Sequence, residues 1–104
     1  MKQDLELKSR VKEILKIVQQ VSPGNSVELR IPPYAAIQCA AGSVHRRGTP
    51  PNVVEMSGDT LLELVDNPTC WDEFCHNGRI LASGTNSNLK DLFIKVSKLD
   101  SGTR

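Results

Sequence analysis

The sequence predicts an α+β fold in which helices back a mostly antiparallel sheet of about five strands. The order of periodic segments supports this class, because a helix comes first and is followed by several strands, two helices, a strand and a last helix. The length of 104 residues suits one domain with one core. A content of 38% hydrophobic and 24% charged residues is typical of soluble globular proteins.

Residues 4–21 predict the first helix, because their apolar side chains fall within an arc of about 120° at 100° per residue. Pro23 and Gly24 end this helix, since proline disfavours a helical conformation for the residue before it and glycine permits a turn. Three lysines flank the arc and indicate a solvated face or, at most, transient contact with an anionic membrane surface. The arc contains Leu7, Val11, Ile14, Leu15, Val18 and Val21.

Residues 26–31 alternate between apolar and polar side chains, which predicts a strand buried on one face. Pro32 and Pro33 then interrupt strand pairing, because proline donates no ladder hydrogen bond. Residues 34–41 are apolar at nearly every position, as in a strand covered on both faces. Their small side chains fit two interpretations, which are close packing against a helix and space left for a ligand.

Turn residues divide the next part of the chain into short strands. Gly42 and Ser43 favour a hairpin turn, from which residues 44–47 return as a short polar strand. Residues 48–52 contain a second proline pair and predict a stiff corner. Residues 53–56 then predict the third main strand, and residues 79–83 predict a last short one.

Three helices are expected in the second half of the chain. Ser57 or Asp59 caps the first of them, which ends at Pro68. Asn86 or Ser87 caps the last, and a short helix lies between the two. The apolar faces of these helices contain Leu61, Leu62, Leu64, Val65, Trp71, Phe74, Cys75, Leu89, Leu92 and Phe93.

Both ends of the chain carry further information. Residues 98–104 have no apolar period, so we expect one domain over residues 1–97 followed by a flexible tail. The first residues are charged and contain no apolar region of the signal-peptide type. No run of about 18 apolar residues occurs, so no membrane span is predicted and a cytoplasmic location is expected.

Composition argues against nucleic acid as a partner. A net charge of +1 provides few contacts to phosphates, and one Trp, one Tyr and two Phe make a poor platform for stacking bases. Three cysteines are an odd number for a secreted disulfide framework and are better interpreted as reduced thiols.

No residue pattern predicts catalysis or metal binding. Cys70 and Cys75 would lie about 140° apart around a helix axis, although metal ligands must converge. No local motif joins Cys39 or Cys75 with His45 or His76 as a nucleophile and base. We therefore expect no enzyme activity, no metal and no cofactor.

Residues 32–56 resemble the corresponding segment of the bacterial branch of the sterol carrier protein family. The rest of the match is looser and extends over residues 11–93. It includes residues 59–64, then Trp71, and then residues 78–84. The residues that match the family segment most closely are Pro32-Pro33-Tyr34-Ala35-Ala36, Gln38-Cys39, His45 and Arg47-Gly48-Thr49-Pro50-Pro51-Asn52-Val53-Val54-Glu55.

This resemblance implies a five-stranded sheet backed by helices, with an apolar tunnel or cavity that accepts fatty acyl chains or sterols and no catalytic residues. The chain differs from larger carriers in being short, and after Phe93 it has only Ile94 and Val96 before a polar tail. If a lipid binds, Arg47 is the expected partner of an anionic head group. The alternative is that one of Arg46 and Arg47 pairs with Glu28 or Glu55 and the other is solvated. The expected cavity wall comprises Ile37, Cys39, Val54, Leu61, Leu64, Val65, Trp71, Phe74, Leu92 and Phe93.

Two hypotheses of function follow. In the first, the protein binds or carries an apolar small molecule or lipid in a cavity between sheet and helices, without catalysis. In the second, the core is filled and the domain is a protein-interaction module. Its sheet edge or helix face would then dock a protein partner, including a second copy of this chain as a homodimer.

Overall fold

The structure, a computed structural model, describes residues 2–42 and 52–103. Its elements follow the predicted order of helix, strands, helices, strand and helix. The expected polar strand at residues 44–47 lies outside the described residues. The elements are α1 Lys2–Val21, β1 Val27–Ile31, β2 Ala35–Cys39, β3 Asn52–Met56, α2 Gly58–Asp66, a 3₁₀ turn Pro68–Cys70, α3 Trp71–His76, β4 Ile80–Ser83 and α4 Lys90–Thr103.

The described strands form one four-stranded sheet in the order β2-β1-β3-β4. The outer pairs are antiparallel, but β1 and β3 are parallel at the centre. The sheet is therefore mixed, with two antiparallel pairings and one parallel pairing that the sequence did not predict, and the described residues contain four of the about five strands that were expected. Alternation of side chains cannot reveal this, because the period of two residues is the same for both kinds of pairing.

One face of the sheet is buried against the helices, and the other carries polar side chains. In β1 and β3 the residues alternate between buried and half-buried, with Leu29 paired to Val54 on the buried face. In β2, Ala36 and Gln38 are exposed. The prediction that this strand is covered on both faces is therefore wrong. This strand is an edge of the described sheet, and its small side chains lie partly in solvent.

The helices begin and end mostly where the turn residues indicate. Ser57 is the cap of α2, because its hydroxyl accepts a hydrogen bond from the backbone N–H of Thr60 at 3.1 Å. The helix α3 ends before Gly78, whose φ of +83° is the left-handed conformation that favours glycine.

The start of α4 differs from the prediction. Asn88, rather than Asn86 or Ser87, accepts a hydrogen bond from the backbone N–H of Lys90 at 3.0 Å. The Ser87 hydroxyl is instead directed to the carbonyl oxygen of Gly84 at 2.9 Å. The turn that precedes the helix uses these groups, so α4 begins later than its sequence signals suggest.

The end of α4 differs as well, because the helix continues through Thr103 where a tail from residue 98 was expected. Asp100 is buried and accepts two hydrogen bonds from the Arg10 guanidinium of α1, at 2.8 and 2.6 Å. The partner of this carboxylate lies 90 positions away in the sequence. A local pattern of apolar residues therefore could not have indicated that this segment docks.

Candidate functional site

The predicted cavity wall lies between the sheet and the helices. Nine of its ten residues belong to the buried hydrophobic cluster, and Ile37 of β2 packs against that cluster from a half-buried position. We call this cluster the interlayer core. The nine residues are Cys39, Val54, Leu61, Leu64, Val65, Trp71, Phe74, Leu92 and Phe93.

Aromatic side chains form the α3 side of the interlayer core. The rings of Trp71 and Phe93 are stacked with centroids 6.2 Å apart. The guanidinium of Arg79 lies over the ring of Phe74 at 4.2 Å and also pairs with Glu63 of α2. These contacts join α2, α3 and α4 and close the core at this side.

Side chains of the protein itself fill the interlayer core. Leu92 is 8% exposed, and the other eight buried wall residues are at most 4% exposed. Water therefore has almost no access to the predicted wall. A ligand between the layers would have to displace contacts that these side chains make with one another.

Leu92 identifies the place where the interlayer core comes nearest to solvent. It lies with Leu89 in a surface concavity of about 360 Å³, between Ala40 at the end of β2 and the loop that precedes α4. Asn86 and Asn88 of that loop lie on its polar rim. We call this concavity the α4 groove. Two of its lining residues, Leu89 and Leu92, belong to the interlayer core, and its polar lining side chains are neutral among the described residues.

A buried amide holds the rim of the α4 groove to the sheet. Asn52, at the start of β3, is 1% exposed. Its side-chain nitrogen donates to the carbonyl oxygen of Ser26 at 2.9 Å, and its side-chain oxygen accepts from the backbone N–H of Asn86 at 2.9 Å. The sequence predicts a corner at Asn52 and no particular role for its side chain. The sequence offers only one signal, a polar residue directly before the strand residues Val53 and Val54, and this signal is weak.

Comparison with known proteins identifies the family. A family model described as a bacterial SCP ortholog matches residues 3–94, which is most of the chain. The chain belongs to the bacterial sterol carrier protein family. This confirms the resemblance, which the sequence indicated over residues 11–93, and the matched residues run from α1 to the first turn of α4. A search of curated proteins finds no match.

Two thiols of this sterol carrier family member are less acidic than an exposed cysteine thiol. Burial raises the pKa of the Cys39 thiol to about 11, so this thiol is protonated at neutral pH. Burial, with a smaller contribution from the Asp72 carboxylate, also raises the pKa of Cys75. Within residues 2–42 and 52–103, no three His, Cys, Asp or Glu side chains are grouped so that they could hold a metal ion.

The polar face of the sheet carries an ion pair that the sequence analysis did not predict. Arg30 donates to Glu28 at 2.5 Å, and the nearby Glu55 further favours the charged guanidinium and raises its pKa. The anion-binding prediction for Arg47 and its alternative pairing with Glu28 or Glu55 lie outside the described residues. In the described part of the chain, no helix is both long and apolar enough to cross a membrane.

Proposed function

We propose that the protein binds an apolar ligand of the fatty acyl or sterol type between its sheet and its helices and catalyses no reaction on it. Membership of the bacterial sterol carrier protein family supports this function. The observation that carries the proposal is the α4 groove, where Leu89 and Leu92 connect the surface to the interlayer core. Its volume of about 360 Å³ falls in the range of about 300 to 1,000 Å³ typical of ligand pockets.

Ligand binding at this place would act through burial of apolar surface. Each methylene transferred from water contributes about 0.8 kcal/mol. The neutral rim of Asn86 and Asn88 offers hydrogen bonds to a polar head without a charge of its own. Arg47 remains the predicted partner of an anionic head group. We expect the protein to be cytoplasmic and to carry its ligand between membranes whose surfaces it contacts only transiently.

The second candidate is the protein-interaction module, and the filled core specifically favours it. Side chains with almost no exposure already occupy the space that a ligand would take. In addition, the polar face of the sheet is only half-buried at Arg30 and Glu55, and it carries the exposed Leu81. A protein partner, including a second copy of this chain, would dock on such a surface without entering the core.

Mass spectrometry and titration distinguish the two functions. The purified protein is analysed by native mass spectrometry, and an organic extract of it is analysed for lipids. Dodecanoic acid and cholesterol are then titrated while Trp71 fluorescence is followed, because this indole is buried and stacked on Phe93. A co-purified lipid or a saturable change in fluorescence supports the carrier. An apo mass, a lipid-free extract and unchanged fluorescence refute it and leave the interaction module.

A pair of variants in the same helix localises the ligand. Leu92→Gln places an amide at the base of the α4 groove and is expected to weaken binding of dodecanoic acid about tenfold or more. Leu99→Gln is the matched control, because Leu99 lies on α4 with 49% of its surface exposed and outside the groove. Equal effects of the two substitutions would contradict binding through the groove.

A further inference from the structure

The filled core requires part of the protein to move before a ligand can reach it. The two ends of α4 are attached very differently. Near the C-terminal end, Asp100 accepts two charge-assisted hydrogen bonds from Arg10. In the middle, Phe93 is fully buried and stacked on Trp71. These two attachments fix α4 to α1 and to α3.

The loop before α4 has a much lighter attachment to the sheet. Among the described residues, the hydrogen bond that joins this loop to a strand runs from the backbone N–H of Asn86 to the buried side chain of Asn52. In the described part of the chain its other hydrogen bonds are local, from Ser87 to Gly84, from Lys90 to Asn88 and from the backbone N–H of Phe93 to the carbonyl oxygen of Leu89 at 2.9 Å. Besides this hydrogen bond to Asn52, the burial of Leu89 holds the segment. A neutral hydrogen bond contributes about 0.5 to 1.5 kcal/mol and the burial of a leucine about 1.5 to 3 kcal/mol, whereas the whole domain is stable by about 5 to 15 kcal/mol. Among the residues that the structure describes, this attachment can therefore open more often than the whole domain unfolds.

We propose that the hydrogen bond between Asn52 and Asn86 is the latch of the α4 groove. Residues 84–89 lift from the sheet when it opens, carry Leu89 outward, uncover Leu92, and admit the apolar ligand. The rest of α4 stays in place through Phe93 and Asp100. This inference rests on the proposed function, since it assigns a gate to the same site. Asn52 acts here as a positioning residue, and the groove side chains contact the ligand.

Hydrogen exchange tests the latch without a ligand. In the wild-type protein, the Asn86 amide is expected to exchange at least tenfold faster than the amides of β1 and α1, through local opening. In Asn52→Ala the Asn86 amide should exchange about tenfold faster still, with β1 amides changed only by the global loss of stability. Exchange of the wild-type Asn86 amide at the global unfolding rate overturns the latch, even if the variant does not fold.

Binding kinetics test the gate. Dansyl-labelled undecanoic acid is mixed rapidly with each variant, and its association and dissociation rates are measured. Asn52→Ala is expected to raise both rates several-fold while the dissociation constant changes less. Ser57→Ala is the matched control, because it removes a helix cap of about 1 kcal/mol at α2 and leaves the groove intact.

Each outcome has a defined meaning. Faster rates in Asn52→Ala alone support the gate. Equal rates in wild type and Asn52→Ala, or equal acceleration in Ser57→Ala, overturn it while leaving the proposed function standing. If the wild-type protein binds no probe, the proposed function fails and the gating role fails with it. Exchange at Asn86 still decides separately whether residues 84–89 open locally.

Discussion

The ion pair between Arg10 and Asp100 yields a stability prediction that can be worked out from the structure. The Asp100 side chain is 4% exposed and that of Arg10 is 20% exposed. The two carboxylate oxygens accept from separate guanidinium nitrogens at 2.8 and 2.6 Å. Asp100→Ala would leave a largely buried guanidinium without its principal partner.

The expected cost is about 2 to 3 kcal/mol. Removing one partner of a fully buried pair costs about 3 to 5 kcal/mol. The value here is smaller because Arg10 keeps some contact with water and also pairs with Glu13. For a domain of this size, such a loss lowers the melting temperature by about 10 to 20 °C. Out of a total stability of about 5 to 15 kcal/mol, the effect is large.

Urea unfolding followed by Trp71 fluorescence and circular dichroism measures this cost. Arg10→Ala, Asp100→Ala and the double variant form a cycle, in which we expect a coupling energy of about 2 kcal/mol. Glu13→Gln is the control, since this exposed carboxylate should contribute less than about 0.5 kcal/mol. A loss below about 0.5 kcal/mol in Asp100→Ala would refute the docking of the α4 end on α1.

Two further predictions concern pH and backbone conformation. Because the folded Cys39 thiol has a pKa of about 11 against 9.0 ordinarily, the unfolded chain releases its proton first as pH rises. Stability is therefore lost between pH 9 and 11, by about 2 to 3 kcal/mol. Urea unfolding of wild type and Cys39→Ala from pH 8 to 10.5 measures this loss. A difference in stability between the two proteins that stays constant over this range would contradict the prediction. Gly24→Ala should destabilise by more than 3 kcal/mol, since φ is +147° and a Cβ atom would lie 2.1 Å from the Ala40 carbonyl oxygen. Gly78→Ala should cost only about 1 to 2 kcal/mol, because φ is +83° and an added Cβ atom would have no other atom within 4 Å. Equal melting temperatures for the two variants would count against the Gly24 contact.

Local signals were sufficient for most of the elements. The helical period in residues 4–21, the hydroxyl of Ser57 and the turn at Gly78 all correspond to structural features at those positions. Apolar residues at helical and strand spacing also identified most of the interlayer core. Such features depend on neighbours within one turn or one strand, which is why sequence alone can indicate them.

The features that sequence missed depend on distant partners. In the sequence, Asp100 is one polar residue among several, and its role follows only from its contact with Arg10. Asn52 becomes a structural amide only when Ser26 and Asn86 are brought to it from different parts of the chain. The parallel pairing of β1 with β3 likewise depends on the path of the chain between them. The spacing of apolar residues along the chain indicates none of these three long-range contacts.

A filled core and ligand carriage are compatible only if opening is inexpensive. A ten-carbon chain contributes about 8 kcal/mol on leaving water, and association costs at least about 4 of these. The remaining 4 kcal/mol or so corresponds to millimolar affinity, so micromolar affinity requires about sixteen carbons even when opening costs nothing. Opening that separated Trp71 from Phe93, or Arg10 from Asp100, would remove several more kcal/mol. Lifting only residues 84–89 disturbs the hydrogen bond between Asn86 and Asn52 and the one between the Phe93 N–H and the Leu89 carbonyl oxygen. It also disturbs the packing of two leucines, which a long apolar chain can replace with contacts of its own.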